Sequence, residues 1–231
     1  MRTVAFVLYP GITALDLVGP LQVMSVFAAF DPSWRIVVAA EARRAMPTDT
    51  PLSLAPSHTF EELEKEEAPY AVIVPGGVEP TFAAMADDRL LERIRFAARR
   101  AEVIGSVCTG SLLLGAAGLL RGRRATTHWA ALELLARLDA VPVGERVVQD
   151  GPVVTAAGVS AGIDMALALV ARLAGEEMAR TVQLMIEYDP QPPHGPIDWQ
   201  AVDRPALAPL VMSTLTTALA GHPRLLERLT S

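Results

Sequence analysis

One cysteine among 231 residues cannot close an intrachain disulfide. A free thiol fits a reducing compartment, so a cytoplasmic location is expected. Paired metal-ligand spacing is missing too: there is no second cysteine, no His-x-x-x-His and no Cys-x-x-Cys, so a bound metal is not expected. Positive charge is short as well. The net charge is −6, and the arginine pairs Arg43-Arg44, Arg99-Arg100 and Arg123-Arg124 are scattered, as solvated faces and helix ends would be, so a nucleic-acid partner is disfavoured. Two stretches, 103–120 and 205–223, lack charged side chains at neutral pH. The first is interrupted by Gly105, Gly110, Gly115 and Gly118, the second by prolines, threonines and the Gly221-His222 pair, so neither reads as a membrane span. The start has only a brief apolar run before Tyr9-Pro10-Gly11 and no small-residue cleavage site, which reads as a first strand and not a signal peptide.

Apolar residues make up 51% of the chain and charged ones 20%, a balance that suits a globular domain with a sizeable core. No internal repeat or low-complexity linker divides the chain. Residues 1–231 are therefore read as a single domain, with 189–231 as a C-terminal arm and helix.

Apolar, β-branched runs at 2–8, 34–40, 70–74 and 103–107 read as strands buried on both faces. Between them, 21–30, 59–67 and 87–100 read as helices; Thr59 is a candidate cap for the second, and Leu90, Leu91 and Ile94 give the third an apolar face. Residues 45–56 read as a surface hairpin. Further on, 130–138 reads as a helix, 145–157 as two short strands around an Asp-Gly turn, 160–174 as a buried helix with Ser160 as its candidate N-cap, and 178–188 as another helix. This β-α-β-α-β order predicts an α/β fold: a doubly wound, mostly parallel sheet with helices on both faces and its site at the C-terminal ends of the strands.

Several candidate groups map to that edge. Cys108 lies between the apolar strand ending at Val107 and the Leu/Ala-rich run after Gly110. Small residues at Gly105, Ser106 and Gly110 suit a strained strand-to-helix elbow that exposes a nucleophile; a lone buried cysteine acting as a small hydrophobe is the plain alternative. Asp16, set among Leu15, Leu17 and Val18, is either a capping or surface acid, or a functional one. Gly76 and Gly77 end the third sheet strand, where backbone N–H groups can face a ligand, or where a simple tight turn can form. Of the 4 histidines, His58, His194 and His222 lie beside prolines or in turn-like sequence. Gly158 and Gly162 would let the loop before the 160–174 helix pass close to the site, and Gly158, Val159 and Ser160 are read as its substrate-facing part.

These residues resemble a known family. Val-Cys108-Thr-Gly after a buried strand, Val-Pro-Gly76-Gly77 before a helical segment, Tyr9-Pro-Gly with Leu-Asp16-Leu-Val-Gly-Pro, and Glu-Tyr188-Asp-Pro-Gln-Pro-Pro together resemble the DJ-1/ThiJ/PfpI superfamily, and most closely its isonitrile hydratase branch. The resemblance covers most of 2–193. It implies a flavodoxin-like fold, a homodimer whose interface the arm would cross, no cofactor, and an isonitrile as substrate. It further implies Cys108 as nucleophile, Asp16 facing it as acid and base, Thr109 as a polar neighbour, the Gly77 N–H facing the nucleophile, and His128 as the histidine about twenty residues after the cysteine. The helix dipole and a protonated Asp16 are expected to hold the thiol below its ordinary pKa. Rival readings are a ligand-binding sensor like the effector half of AraC-type regulators, for whose DNA-binding module 197–231 is too short, and the glyoxalase, deglycase or peptidase reactions of the superfamily, which usually show glutamate where this chain has Asp16.

Overall fold

The computed structural model describes all residues, Met1–Ser231. Its centre is a seven-stranded sheet of β1 (Arg2–Val7), β2 (Trp34–Ala40), β3 (His58–Thr59), β4 (Ala71–Val74), β5 (Val103–Val107), β6 (Val147–Asp150) and β7 (Val153–Ala156), in the spatial order β6-β7-β5-β4-β1-β2-β3. Every neighbouring pair is parallel except β6 with β7. Apart from the exposed Arg2, the residues of the central strands β1, β4 and β5 are buried, and most of them are Val, Ile, Ala and Phe. A sheet covered on both faces requires that composition.

The helices are α1 (Ala14–Phe30), α2 (Phe60–Lys65), α3 (Glu79–Ala84), α4 (Asp88–Arg100), α5 (Gly110–Ala116), α6 (Leu134–Arg137), α7 (Ala161–Ala174), α8 (Glu176–Met185), α9 (Arg204–Ala218) and α10 (Pro223–Thr230). Helices α1, α7 and α8 pack together, and α3, α4 and α5 form a second group. Buried side chains from both groups and the sheet make one core that includes Phe6, Phe27, Ile73, Ile94, Leu112 and Leu113. No helix is long and apolar enough to cross a membrane.

The order of the strands locates the site. From β1 the chain winds outward through β2 to β3, then returns to β4 on the other side of β1 and continues to β5. The connections after β1 and β4 therefore diverge, and such a switch point leaves a crevice at the strands' C-terminal ends. Thr13 N–H donates to the Gly76 carbonyl at 2.9 Å, and Ile12 bridges Gly77, so the two diverging loops are tied across that crevice.

Several elements differ from the sequence reading. Helix α1 begins at Ala14 with Pro20 inside it. Pro20 lacks the N–H that would bond four residues back and commonly marks a helix boundary, but here it is buried and the helix continues through it. The region expected to form one helix after His128 is divided into a 3-10 turn, Trp129–Ala131, and the short α6. Ser160 stands at the N-cap position of α7 without a capping hydrogen bond; its hydroxyl instead accepts from Arg146 at 3.3 Å. Thr59 does cap α2, in a reciprocal box: it accepts from Glu62 N–H at 3.1 Å, and the Glu62 carboxylate accepts from Thr59 N–H at 2.7 Å.

Candidate active site

Cys108 is the first residue after β5, and its backbone has φ 56°. That left-handed conformation is uncommon for any residue with a side chain and marks stored strain. The surroundings over-determine it. Cys108 N–H donates to the carbonyls of Ala156 and Ala157, at 3.1 and 3.0 Å, and its own carbonyl accepts from the hydroxyls of Ser111 at 3.2 Å and Thr127 at 3.0 Å. Two residues on, a side chain at Gly110 would overlap the Val74 carbonyl, so only glycine lets the β4 and β5 loops come this close.

Asp16, in the first turn of α1, is fully buried. Its side chain does not cap the helix. Instead Oδ2 accepts from Gly76 N–H at 3.0 Å, while Oδ1 has no hydrogen-bond partner. Burial is the main reason that its pKa is raised to about 7; the Gly76 N–H and the Cys108 thiol pull it down, and the nearby Asp49 carboxylate pushes it up. Asp49 lies in the 45–56 hairpin and also accepts from Ala14 N–H at 3.1 Å, at the start of α1.

The thiol does not follow the sequence expectation. Burial first, and then the Asp16 carboxylate, push Cys108 up to about 12, against the pull of the backbone N–H groups of Val159 and Thr109. A helix dipole does not offset both desolvation and an adjacent acid. Both groups are therefore held toward their protonated forms, the thiol more strongly than the acid.

The glycine pair also acts differently from the expectation. Gly77 N–H donates to Thr109 Oγ1 at 2.9 Å, and that hydroxyl donates back to the Gly77 carbonyl at 2.6 Å. Gly76 thus positions the acid and Gly77 positions Thr109, leaving the N–H groups of Thr109 and Val159 as the donors directed at sulfur. Val159 itself has φ 23°, an outlier for a β-branched residue. Tyr9 completes the floor: its hydroxyl donates to the Pro75 carbonyl at 2.9 Å and lies 2.9 Å from Thr81 Oγ1, and burial raises its pKa.

His128 makes no hydrogen bond to Cys108. Its Nδ1 accepts from Ala130 N–H at 3.3 Å, its ring lies over Gly158, and burial lowers its pKa. It lines a pocket of about 340 Å³ together with Thr127, Trp129, Gly158, Val159 and Ser160. Thr127 and Val159 connect this pocket to the cysteine, since one holds its carbonyl and the other aims an N–H at its sulfur. Leu15, next to Asp16, forms another part of the wall. Sequence reasoning missed Ile197 and Trp199, which reach the same pocket from the arm; a tryptophan in a proline-rich polar stretch was the available signal. No cluster of His, Cys, Asp and Glu side chains is arranged to hold a metal ion.

A mostly parallel sheet with a strained cysteine elbow beside its switch point, faced by a buried acid, defines a class of α/β proteins built around a cysteine at a strand-to-helix turn. The chain belongs to the DJ-1/PfpI family, whose pattern matches residues 2–172. It is 43% identical over 192 residues to the isonitrile hydratase of Pseudomonas putida, covering 82% of this chain and 80% of that one. A solved THiJ/PfpI family protein from Pseudomonas syringae superimposes with a TM-score of 0.85 at 36% identity, covering 95% of this chain and 89% of that one. Similarity also extends to the HTH-type transcriptional regulator CdhR of Pseudomonas aeruginosa, 32% identical over 179 residues, which span 75% of this chain and 51% of the regulator.

Proposed function

We propose that this protein is an isonitrile hydratase that adds water to an isonitrile to give an N-substituted formamide. The observation that carries this reading is the buried Asp16 carboxyl, with a pKa of about 7, facing the Cys108 thiol; the similarity to the Pseudomonas putida hydratase supports it. An acid that titrates near neutrality can both take and return a proton at working pH.

The thiol proton passes to Asp16 and from there to the terminal isonitrile carbon, while sulfur bonds to that carbon. The product of this step is a thioimidate, R–N=CH–S–Cys108. Asp16 next takes a proton from water as its oxygen adds to the same carbon, and the imine nitrogen gains that proton. The carbon–sulfur bond then breaks, the new hydroxyl becomes the formamide carbonyl, and its proton returns through Asp16 to sulfur. Atoms balance as R–NC plus water giving R–NH–CHO. The N–H groups of Thr109 and Val159 stabilise the sulfur while it carries negative charge. Gly76, through its hydrogen bond to Asp16 Oδ2, leaves Oδ1 for the proton. His128, Gly158 and Ser160 form the wall beside the substrate's substituent, and His128 acts by lining rather than as the base.

The test is a substrate panel on the purified protein: cyclohexyl isonitrile, methylglyoxal and a chromogenic peptide, each run beside Cys108→Ala. Formamide from the isonitrile alone, abolished in the variant, is the expected result. Turnover of methylglyoxal without formamide would move the assignment to the glyoxalase reaction. Saturable binding of the isonitrile without turnover would make the protein a sensor, in line with its regulator relative.

A further inference from the structure

The pocket beside Cys108 has walls from the family-matched residues and a roof from outside them. Residues 2–172 match the family, whereas Ile197 and Trp199 lie on the arm between α8 and α9. Both side chains face the pocket although their exposure is 63% and 47%, because much of their remaining surface is open to solvent. The Trp199 ring approaches Trp129 with centroids 6.3 Å apart, and Trp129 in turn tilts against His128 at 5.6 Å. A file of three rings thus runs from the arm to the cysteine side of the pocket.

The way the arm is held fits a role in contact with substrate. Each hydrogen bond of residues 190–202 is local, as in Gly195 N–H to the Pro192 carbonyl, Ala201 N–H to the Asp198 carbonyl and Gln200 N–H to the Asp198 carboxylate. Shape comes from Pro190, Pro192, Pro193 and Pro196, which fix φ without needing hydrogen bonds. Both ends are anchored, since α8 packs on α1 and α7, and α9 on α3 and the Trp129–Ala131 turn. The arm is a stiff strap whose contact with the pocket is apolar, so its contribution depends on what fills the space beneath it.

We propose that Trp199 and Ile197 are specificity-determining residues: they close the pocket over the group attached to the isonitrile nitrogen and select for its bulk. This rests on the reading of the site as an isonitrile hydratase. The pocket volume of about 340 Å³ equals the liquid share of roughly eleven waters, which suits a substituent of bicyclic size better than a methyl group. A small substituent reaches sulfur without touching the roof, whereas a bicyclic one is gripped between Trp199, Trp129 and Val159.

Steady-state turnover of methyl isonitrile and 2-naphthyl isonitrile by wild type, Trp199→Ala, Trp199→Phe and Ile197→Ala tests this. Trp199→Ala should raise KM for the naphthyl substrate about tenfold or more with little change in kcat, the loss expected when an aromatic contact is removed. It should leave methyl isonitrile within about twofold, and Trp199→Phe should recover most of the naphthyl KM. Equal losses on both substrates, or an unchanged ratio of the two, would overturn the roof, and an unchanged ratio with a smaller mass by light scattering would assign the arm to a subunit contact instead. If wild type hydrates neither isonitrile, the hydratase reading fails on its own. The roof is then decided by calorimetry with N-(2-naphthyl)formamide: saturable binding weakened about fivefold or more by Trp199→Ala sustains it, and no binding, or binding indifferent to the variant, rejects it.

Discussion

The elbow and the roof are built in opposite ways. Around Cys108 and Asp16 the polar groups are buried and held by hydrogen bonds from distant parts of the chain: the Gly76 N–H on Asp16, the Gly77 N–H on Thr109 and the Thr127 hydroxyl on the cysteine carbonyl. The segment of the arm over the pocket, 190–202, is exposed, makes only local hydrogen bonds, and reaches the site through apolar side chains. Under the proposed function, the difference separates two tasks. Proton transfer needs fixed distances and low dielectric, which long-range hydrogen bonds in a buried crevice supply. Choice of substituent needs adjustable apolar area, and a surface strap can vary without disturbing the acid and the thiol.

The contrast breaks first at Asp16. Asp16→Asn keeps the shape and can still accept from Gly76 N–H, but it cannot carry the proton. Turnover should fall by roughly a hundredfold or more, the scale of general acid–base catalysis, for small and large substrates alike. An effect confined to large substrates would place Asp16 with the roof.

Stability supplies the next test. The folded pKa of Asp16 lies above the unfolded value, so its contribution to stability is fully present below about 3.8 and is lost as pH rises through about 7. The asparagine variant cannot ionise and escapes that loss. It should melt higher than wild type at pH 8, by an equivalent on the order of a few kcal/mol, with the gap closing toward pH 4. A variant that melts lower at every pH would show that the carboxylate is compensated by a partner.

The smallest effect concerns Asp49, which acts on Asp16 through charge alone. In wild type, kcat/KM should rise through about pH 7 as Asp16 ionises and becomes able to take the thiol proton, with no fall on the alkaline side until far above it. Asp49→Asn retains an acceptor for the Ala14 N–H and removes the charge, so the rise should move to lower pH by roughly half a unit or less. No movement would leave burial as the sole cause of the raised Asp16 pKa.

The fold was legible because its strands are short apolar runs and α4 carries a clear apolar period; β2 and β5 fall where the Val/Ile-rich runs stand. Placing Asp16, Gly77 and Cys108 on one edge needed only strand order and the rule that loops after parallel strands share a side. The start of α1 was hidden because Pro20 reads locally as a break, and its tolerance depends on packing. The raised thiol pKa was hidden as well, because the motif shows the helix end but not the depth of burial. Nor did spacing show that Asp49, 33 residues from Asp16, would come to lie near it, or that an extended proline-rich segment would fold back over the pocket.

The hydrogen bonds that assemble the elbow have one more consequence. Gly76 meets Asp16 across 60 residues of chain, Gly77 meets Thr109 across 32, and Thr127 meets Cys108 across 19. Contacts of such separation form only after much of the intervening chain has been ordered, and they are intrinsically slow to form. The Asp16–Cys108 arrangement is consequently absent from any partly folded chain in which β1, β4 and β5 are not yet side by side. A nascent chain carries an ordinary, unpaired thiol, and the facing of Cys108 by Asp16 is set only at the close of folding.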